Sequence, residues 1–462
     1  MRVKKIPGFA ALIALAFAIA GSTSENARAV PPPGNTAVQW NQIAEDTVVG
    51  SGTQLPEGFL YMAYVAAAVY DADLAIEGGF EPYGPPIAAA PGASADAAVV
   101  EAAYRTLWAY FPPEVCNPAS PPVAYAFCLG VRPRLDALYA EALAAIPPGQ
   151  ARTDGQAVGL QAANDIIAVR SGDGRMTPIS VTSSFPTLPP GPGAWRLTPP
   201  FLAPQTPWLG NVRPWVLETL DQFLPGPPPS LQSHEWAEAF NQIKAYGAAS
   251  GSLRNDEQTA VARFWSANTV RQYNRVAREI AAARGLGLSD TARLGAMINL
   301  VGADALMSAF NAKYHYLFWR PVTAIDPTAV AADGFGPVAG YADGNAATAE
   351  QAGWRPLLTT PNHPEYPAAH GVLTSAMAEV LTAFLGTNRI DVDIHGFDAA
   401  GPPGNLNAVR HFDTPNDLRA EIIQARLWAG VHYHFSSVAG VVLGRKVAKY
   451  DLRHAFHPAT DE

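Results

Sequence analysis

The stretch HPEYPAAHGVLTSAMAEVLTAFL, residues 363–385, joins a proline-containing turn to a long apolar helix. Its apolar residues recur at intervals of three and four from Val372 to Leu385, which predicts a helix buried along one stripe. His370 stands where that helix begins, among small residues. A helix N-terminus presents free N–H groups and a partial positive charge, so this stretch predicts an anion site that a histidine can serve with protons.

Helical periodicity recurs along the rest of the chain. It predicts helices at 59–76, 94–110, 133–146, 151–169, 289–320, 370–385 and 417–432, and in the segments SHEWAEAFNQIKAYGA, NDEQTAVARFWSANT and VAGVVLGRKVAKY. Proline clusters separate the helices, and the proline- and glycine-rich region at about 175–230 is predicted to form long ordered loops, with a true linker as the alternative. No alternating strand pattern of useful length is present, so the predicted fold class is all-α.

The first 29 residues have the pattern of a secretory signal peptide. Basic residues precede the apolar run GFAALIALAFAIAG, and the triplet ARA at 27–29 is a small-x-small cleavage site. We therefore expect a secreted or periplasmic protein with no membrane span in the mature chain. Removal of residues 1–29 changes the net charge from −9 to −12, and an acidic exported protein is a poor candidate for binding nucleic acid. Cys116 and Cys128, a single pair in an exported chain, are expected to form a disulfide.

Residues suited to catalysis are concentrated towards the C-terminus, where nine of the ten histidines lie at position 315 or later. Three segments there combine cations with histidines: KYHYLFWRP at 313–321, YPAAHG at 366–371 and ARLWAGVHYHF at 425–435. Lys313 and Arg320 are seven residues apart, which in one continuous helix places both on the same face. Arg426 and His432 are six apart, and Gly430 could end or bend the helix so that both reach one point.

Together the three segments supply two arginines, one lysine, two histidines and backbone amides, which predicts a small, highly charged oxyanion as their common target. Arginine and lysine form charge-assisted hydrogen bonds to such oxygens. A neutral histidine nitrogen could bond the central atom, either as a metal ligand or as a nucleophile on phosphorus. The predicted organisation is a signal peptide at 1–29, an N-terminal helical region with loops at 30–230, and a C-terminal helical region with the oxyanion site at 231–462.

The ordered set of motifs resembles a known superfamily. Lys-x6-Arg-Pro, then Pro-Ser-Gly-His, then Ser-Arg-x5-His is typical of vanadium-dependent haloperoxidases and type 2 phosphatidic acid phosphatases. This chain has KYHYLFWRP, PAAH and ARLWAGVH in their places, with both spacings matched. Earlier segments such as AYVAAAVYDADLAI and ADAAVVEAAYRTL also look like the soluble haloperoxidase branch, so the resemblance spans most of the chain after residue 29.

The resemblance implies an α-helical bundle that holds vanadate. The cofactor-binding residues implied by position are Lys313, Arg320, Ala368, Ala369 and Arg426. His432 would coordinate vanadium, and His370 would be the acid–base residue. The implied reaction is oxidation of halide by hydrogen peroxide to a hypohalous acid equivalent, which halogenates a small organic substrate. His363 resembles the bromoperoxidase pattern and favours bromide, and related enzymes are often dimers or larger, so a homo-oligomer is compatible with the resemblance.

Three positions depart from the family pattern. Ala368 and Ala369 replace the serine and glycine of the second motif, and Ala425 replaces the serine of the third. A hydroxyl donor lost from a buried oxyanion would weaken binding by about 1–3 kcal/mol. Two alternatives stay open. One is an exported soluble acid phosphatase, with His432 as nucleophile and His370 protonating the leaving oxygen. The other is a non-catalytic binding protein whose pocket has lost its activity.

Overall fold

The computed structural model describes residues 34–120, 122–177, 191–198, 200, 203–329, 342–396 and 408–459. In these residues the chain forms fourteen α-helices and one two-stranded antiparallel hairpin. The predicted signal peptide lies outside the described residues and stays a prediction. Contacts group residues 33–462 into one compact unit, and the predicted boundary at about residue 230 stays a prediction.

The elements follow one another mostly through short connections. The first seven helices are α1 (Thr36–Gly50), α2 (Leu55–Glu77), α3 (Ala95–Tyr110), α4 (Pro122–Leu129), α5 (Val131–Ala145), α6 (Gln150–Val169) and α7 (His234–Tyr246). The next five are α8 (Asp256–Phe264), α9 (Thr269–Arg284), α10 (Leu288–Tyr316), α11 (Pro321–Ile325) and α12 (Ala369–Leu385). The hairpin β1 (Val392–His395) and β2 (Val409–Phe412) precedes α13 (Pro415–Trp428) and α14 (His434–His454).

Helices α2 and α10 pack against each other in the core. Both are long and apolar enough to cross a membrane, but the core helix of a globular protein meets the same criteria, and 89% of the apolar window of each helix is buried. Gly302 of α10 faces Phe59 of α2, and a Cβ atom at Gly302 would lie 2.5 Å from the Phe59 ring. The missing side chain therefore lets the two helices approach closely.

Helices α12 and α14 approach even more closely. A Cβ atom at Gly444 of α14 would lie 1.9 Å from the carbonyl oxygen of Val372 in α12. The amide of Ala368 donates a hydrogen bond to the carbonyl of Ser436 at 3.1 Å, so the start of α12 is fixed against the start of α14. This contact brings the second and third sequence motifs together.

The all-α prediction is confirmed, with differences of detail. The two strands of the hairpin are only four residues each, too short for alternation to be recognised in the sequence. The helices α1, α4, α9 and α11 were also missed. Ordered loops are confirmed where the region at 175–230 is described: three consecutive loop amides, from Trp215 onwards, donate to the buried carboxylate of Asp304. The predicted disulfide between Cys116 and Cys128 is confirmed.

Candidate active site

The first cation of the site, Lys313, lies in the last turn of α10 and is fully buried. Its ammonium donates to the backbone carbonyls of Pro364 at 2.9 Å and Glu365 at 3.0 Å. These two carbonyls belong to the segment that leads into α12. The hydrogen bonds therefore join the first sequence motif to the second.

Arg320 reaches the same place by a different route from the one predicted. The sequence predicted one helix through residue 320, but α10 ends at Tyr316, and Leu317 adopts a left-handed conformation with φ 49°. Arg320 is instead the N-cap residue of α11. Its guanidinium donates to the carbonyls of His363 at 2.9 Å and Val431 at 2.7 Å, so backbone contacts rather than a shared helix face hold it beside Lys313.

The third motif is also divided by a helix end. The predicted helix to residue 432 stops at Trp428, and Gly430 has φ 76°. His432 therefore lies in the connection to α14, while Arg426 stays on α13. The expected role of Gly430 is confirmed, because the chain turns there and brings both side chains to one buried region.

Replacement of Gly430 by alanine is expected to destabilise the fold strongly. The positive φ alone costs on the order of 1–3 kcal/mol for a residue with a side chain. A Cβ atom at this position would also lie 2.3 Å from the carbonyl oxygen of Gly247. Gly386 has φ 68° with nothing within 4 Å of its Cβ position, so Gly386→Ala is a matched control with strain but no clash. Thermal unfolding should show the larger loss for Gly430→Ala; equal losses would contradict the close contact with Gly247.

His370 lies in the first turn of α12, as predicted. Ala368 is the N-cap residue, and no side chain caps the helix. The amide of Ala368 is bonded to the carbonyl of Ser436, whereas the amide of Ala369, at the first helical position, has no acceptor within the helix. Among the described residues, the Nε2 atom of His370 is buried without a hydrogen-bond partner.

Lysine and arginine side chains of the site lie close together, and burial lowers the pKa of all three. Burial, followed by the charge of Arg320, holds the pKa of Lys313 well below its usual value. Burial lowers the pKa of Arg320 to about 10. Burial and the charge of Arg320 lower the pKa of Arg426 to about 9. A bound anion would relieve this repulsion.

Both histidines are kept neutral. Burial comes first among the causes that hold the pKa of His432 and that of His370 well below the usual range. The three cations add to the effect in both cases. A neutral imidazole retains a lone pair, so each ring can accept a proton or bond to an electrophilic atom.

Two further residues of the site were missed or only partly understood from the sequence. Glu365 is fully buried, and its Oε1 atom lies 2.9 Å from Nδ1 of His432. His363 lies beside Arg320, with Nδ1 2.9 Å from a guanidinium nitrogen, and its ring lies over that of His432 at 6.5 Å. The signal for Glu365 was present in the quoted stretch, because an acid in a buried motif needs a partner.

The donor set fits a small oxyanion. Within the site, Nε2 of His370 and Nε of Arg426 are buried without a hydrogen-bond partner among the described residues, as is the acceptor Oε2 of Glu365. Buried polar atoms are rarely left unsatisfied, so such atoms beside excess positive charge indicate a missing anionic partner. The residues present therefore fit vanadate or phosphate, whose oxygens accept hydrogen bonds from arginine, lysine and backbone amides.

Comparison with known proteins agrees with this geometry. Residues 293–460 match the family model described as the VCPO second helical-bundle domain. These residues form a domain of the vanadium haloperoxidase family. The haloperoxidase domain contains every residue assigned to the site, from Lys313 to His432, and the resemblance inferred from the motifs is confirmed.

Similarity to individual haloperoxidases is distant. Vanadium chloroperoxidase from Curvularia inaequalis is 24% identical, over 57% of this chain and 50% of that protein, so the chain spans about half the length of this curated relative. A solved bacterial vanadium-dependent iodoperoxidase is 20% identical with a TM-score of 0.69, covering 92% of this chain and 96% of that one. An apo-type bacterial vanadium-dependent chloroperoxidase is 17% identical with a TM-score of 0.63, covering 87% and 95%. At these identities the structures establish the shared fold.

Proposed function

We propose that this protein is an exported, vanadate-dependent haloperoxidase that uses hydrogen peroxide to oxidise halide. The hypohalous acid equivalent then halogenates a small organic substrate. The observation that carries the proposal is the buried group of three cations, Lys313, Arg320 and Arg426, which converges with two neutral histidines in a haloperoxidase domain. The proposed export rests on the signal-peptide pattern of residues 1–29.

The proposed roles follow from the chemistry of each side chain and its place in the site. Lys313, Arg320 and Arg426 would hold the vanadate oxygens, with the Ala369 amide at the start of α12 as a further donor. His432 would supply the nitrogen ligand. When bound, vanadate supplies a Lewis-acidic centre that activates peroxide, and the oxidation state of vanadium does not change.

His370 would move the proton that peroxide must lose. Its neutral ring can accept that proton at Nε2 and later return it to the oxygen that leaves as water. The three cations act against protonation of the ring, so His370 returns the proton readily. Burial of the surrounding residues limits bulk water and strengthens these charge interactions.

The choice of halide is a finer part of the proposal. The preference for bromide rests on His363 alone, while the similar proteins named above include chloroperoxidases and an iodoperoxidase. Chloride is the hardest of the three halides to oxidise and iodide the easiest. Assays with each halide under the same conditions would therefore rank the oxidising strength of the site.

The test uses purified protein that begins at residue 30, freed of metal and divided into samples with and without orthovanadate. Each sample is assayed for peroxide-dependent halogenation and for hydrolysis of a chromogenic phosphate ester. We expect halogenation only in the presence of vanadate. A variant with exposed His454 replaced by alanine is the matched histidine control and should behave as wild type.

The same assay decides between the proposal and its alternatives. Phosphate hydrolysis that vanadate inhibits, without halogenation, would identify an acid phosphatase with His432 as nucleophile. This alternative uses the same residues, because five-coordinate vanadate resembles the transition state of phosphoryl transfer. No activity in either assay would support a non-catalytic binding protein.

A further inference from the structure

We propose that Glu365 is the positioning residue of the site: its carboxylate holds the Nδ1–H group of His432 and thereby directs a bare Nε2 atom at the oxyanion. The identity of the oxyanion rests on the proposed function above. The orientation of the His432 ring, in contrast, depends only on contacts within this chain.

Two hydrogen bonds to one oxygen of Glu365 fix the orientation of the His432 ring. Oε1 of Glu365 lies 2.9 Å from Nδ1 of His432 and accepts a second hydrogen bond from the amide of Tyr433 at 3.0 Å. Glu365 and His432 are both almost completely buried, so bulk water does not compete for the hydrogen bond between them. One oxygen thus binds the imidazole and the backbone next to it, which fixes the ring relative to its own main chain.

Glu365 is itself held on both sides. Its amide donates to the carbonyl of Phe318 at 2.9 Å, between the two cations of the first motif. Its carbonyl accepts from the Lys313 ammonium at 3.0 Å. Glu365 therefore connects all three motifs: its backbone is bonded to the first, it directly precedes the second in sequence, and its side chain holds the third.

The carboxylate of Glu365 also determines the tautomer of His432. A carboxylate only accepts hydrogen bonds, so its partner Nδ1 must carry the proton, and in the neutral ring Nε2 is then unprotonated. That Nε2 atom lies 3.3 Å from a guanidinium nitrogen of Arg320, which places its lone pair among the cations. Only this tautomer can bond the central atom of an oxyanion, and a carboxylate behind the ring also strengthens a histidine ligand.

The carboxylate of Glu365 also affects the balance of charge in the site. The negative charge of Glu365 acts on Arg320 and Lys313, in opposition to burial, which lowers the pKa of both residues. With Arg426 included, three cations and one carboxylate leave an excess of two positive charges when all are ionised. Burial raises the pKa of Glu365 to about 7, and the charges of Arg320 and Lys313 oppose this shift, so the site keeps an excess of positive charge for an oxyanion.

The proposal predicts different results for Glu365→Leu and Glu365→Gln. Leucine removes the acceptor, so the Nε2–H tautomer of His432 should become populated and vanadate affinity should fall by about 10- to 100-fold. Glutamine keeps an oxygen that can accept from Nδ1 and from the Tyr433 amide, so the wild-type tautomer should persist and affinity should fall by less than in the leucine variant.

The tautomer is measured by ¹⁵N NMR of histidine-labelled protein without vanadate, slightly on the alkaline side of neutrality, with His432→Ala used to assign the signals. Affinity for orthovanadate and for inorganic phosphate is measured by calorimetry. Glu379→Gln, which removes a carboxylate bound to Arg419 outside the site, is the matched control and should retain wild-type values.

The proposal is overturned if Nε2 of His432 carries the proton in the wild type, or if Glu365→Leu leaves tautomer and affinity unchanged. It is also overturned if the glutamine variant behaves like the leucine variant, because packing and not the acceptor would then be responsible. Wild-type protein that shows the expected tautomer but binds neither oxyanion would instead refute the proposed function.

Discussion

Replacement of His370 by alanine is expected to reduce halide oxidation by about 10²–10⁴-fold, the usual contribution of a positioned acid–base group, while vanadate still binds. Nε2 of His370 has no hydrogen-bond partner among the described residues, so removal of the side chain breaks no hydrogen bond at that atom. The three cations and His432, which would hold the oxyanion, remain. The loss should therefore appear in kcat, with little change in vanadate affinity.

The measurement pairs steady-state halogenation with vanadate titration of the same preparation. His434→Ala is a suitable control, because this histidine lies two residues from His432 but begins α14 with a partly exposed side chain. Full activity of His370→Ala would show that the proton moves by another route. Loss of vanadate binding together with activity would show that His370 holds the anion rather than serving it.

The sequence was sufficient to locate the site but not to explain how its parts meet. His370 could be placed at a helix start because apolar periodicity begins there and small residues precede it. Lys313 and Arg320 were correctly grouped for an incorrect reason. Their spacing of seven suggested one helix face, whereas Leu317 ends α10 and backbone carbonyls more than 40 residues away orient Arg320. Such long-range contacts leave no periodic signal in one sequence.

Glu365 shows the same limit from the other direction. It lies in the stretch that predicted the oxyanion site, yet its partner His432 is 67 positions later in the chain. Local patterns identify which residue types are unusual, and a buried acid among small and aromatic residues is one of them. Which side chain it meets depends on the close contact between α12 and α14, and that contact depends on glycines whose importance appears only in three dimensions.

Replacement of either arginine of the site by methionine is expected to weaken vanadate binding, but the two substitutions should differ in their effect on stability. Arg426→Met should weaken vanadate binding by about 1.5–3 kcal/mol, or roughly 10- to 150-fold, because a charged donor is lost. In the absence of vanadate, the Arg426→Met variant should nevertheless be as stable as the wild type or more stable. The guanidinium of Arg426 makes one long hydrogen bond, 3.4 Å to the carbonyl of Trp265, and its Nε atom has no partner among the described residues.

Arg320→Met is the matched control for this prediction. It removes the donors to the carbonyls of His363 and Val431, which then stay buried without partners, at a cost of about 1–3 kcal/mol for each group. Both substitutions remove one positive charge from the site and replace the arginine with a shorter, flexible apolar side chain. Any difference in stability between them therefore measures how far each arginine serves the fold.

Denaturant unfolding and vanadate titration of both variants complete the test. The expected pattern is weaker binding in both, with loss of unfolding free energy in Arg320→Met alone. Burial of the Arg426 guanidinium costs desolvation free energy, and its few contacts with the protein offset little of that cost. The expected pattern would therefore explain Arg426 as a residue that binds the anion. Comparable destabilisation in the two variants would mean that Arg426 is a structural residue, and the oxyanion site would have to be built from Lys313, Arg320 and the start of α12 without it.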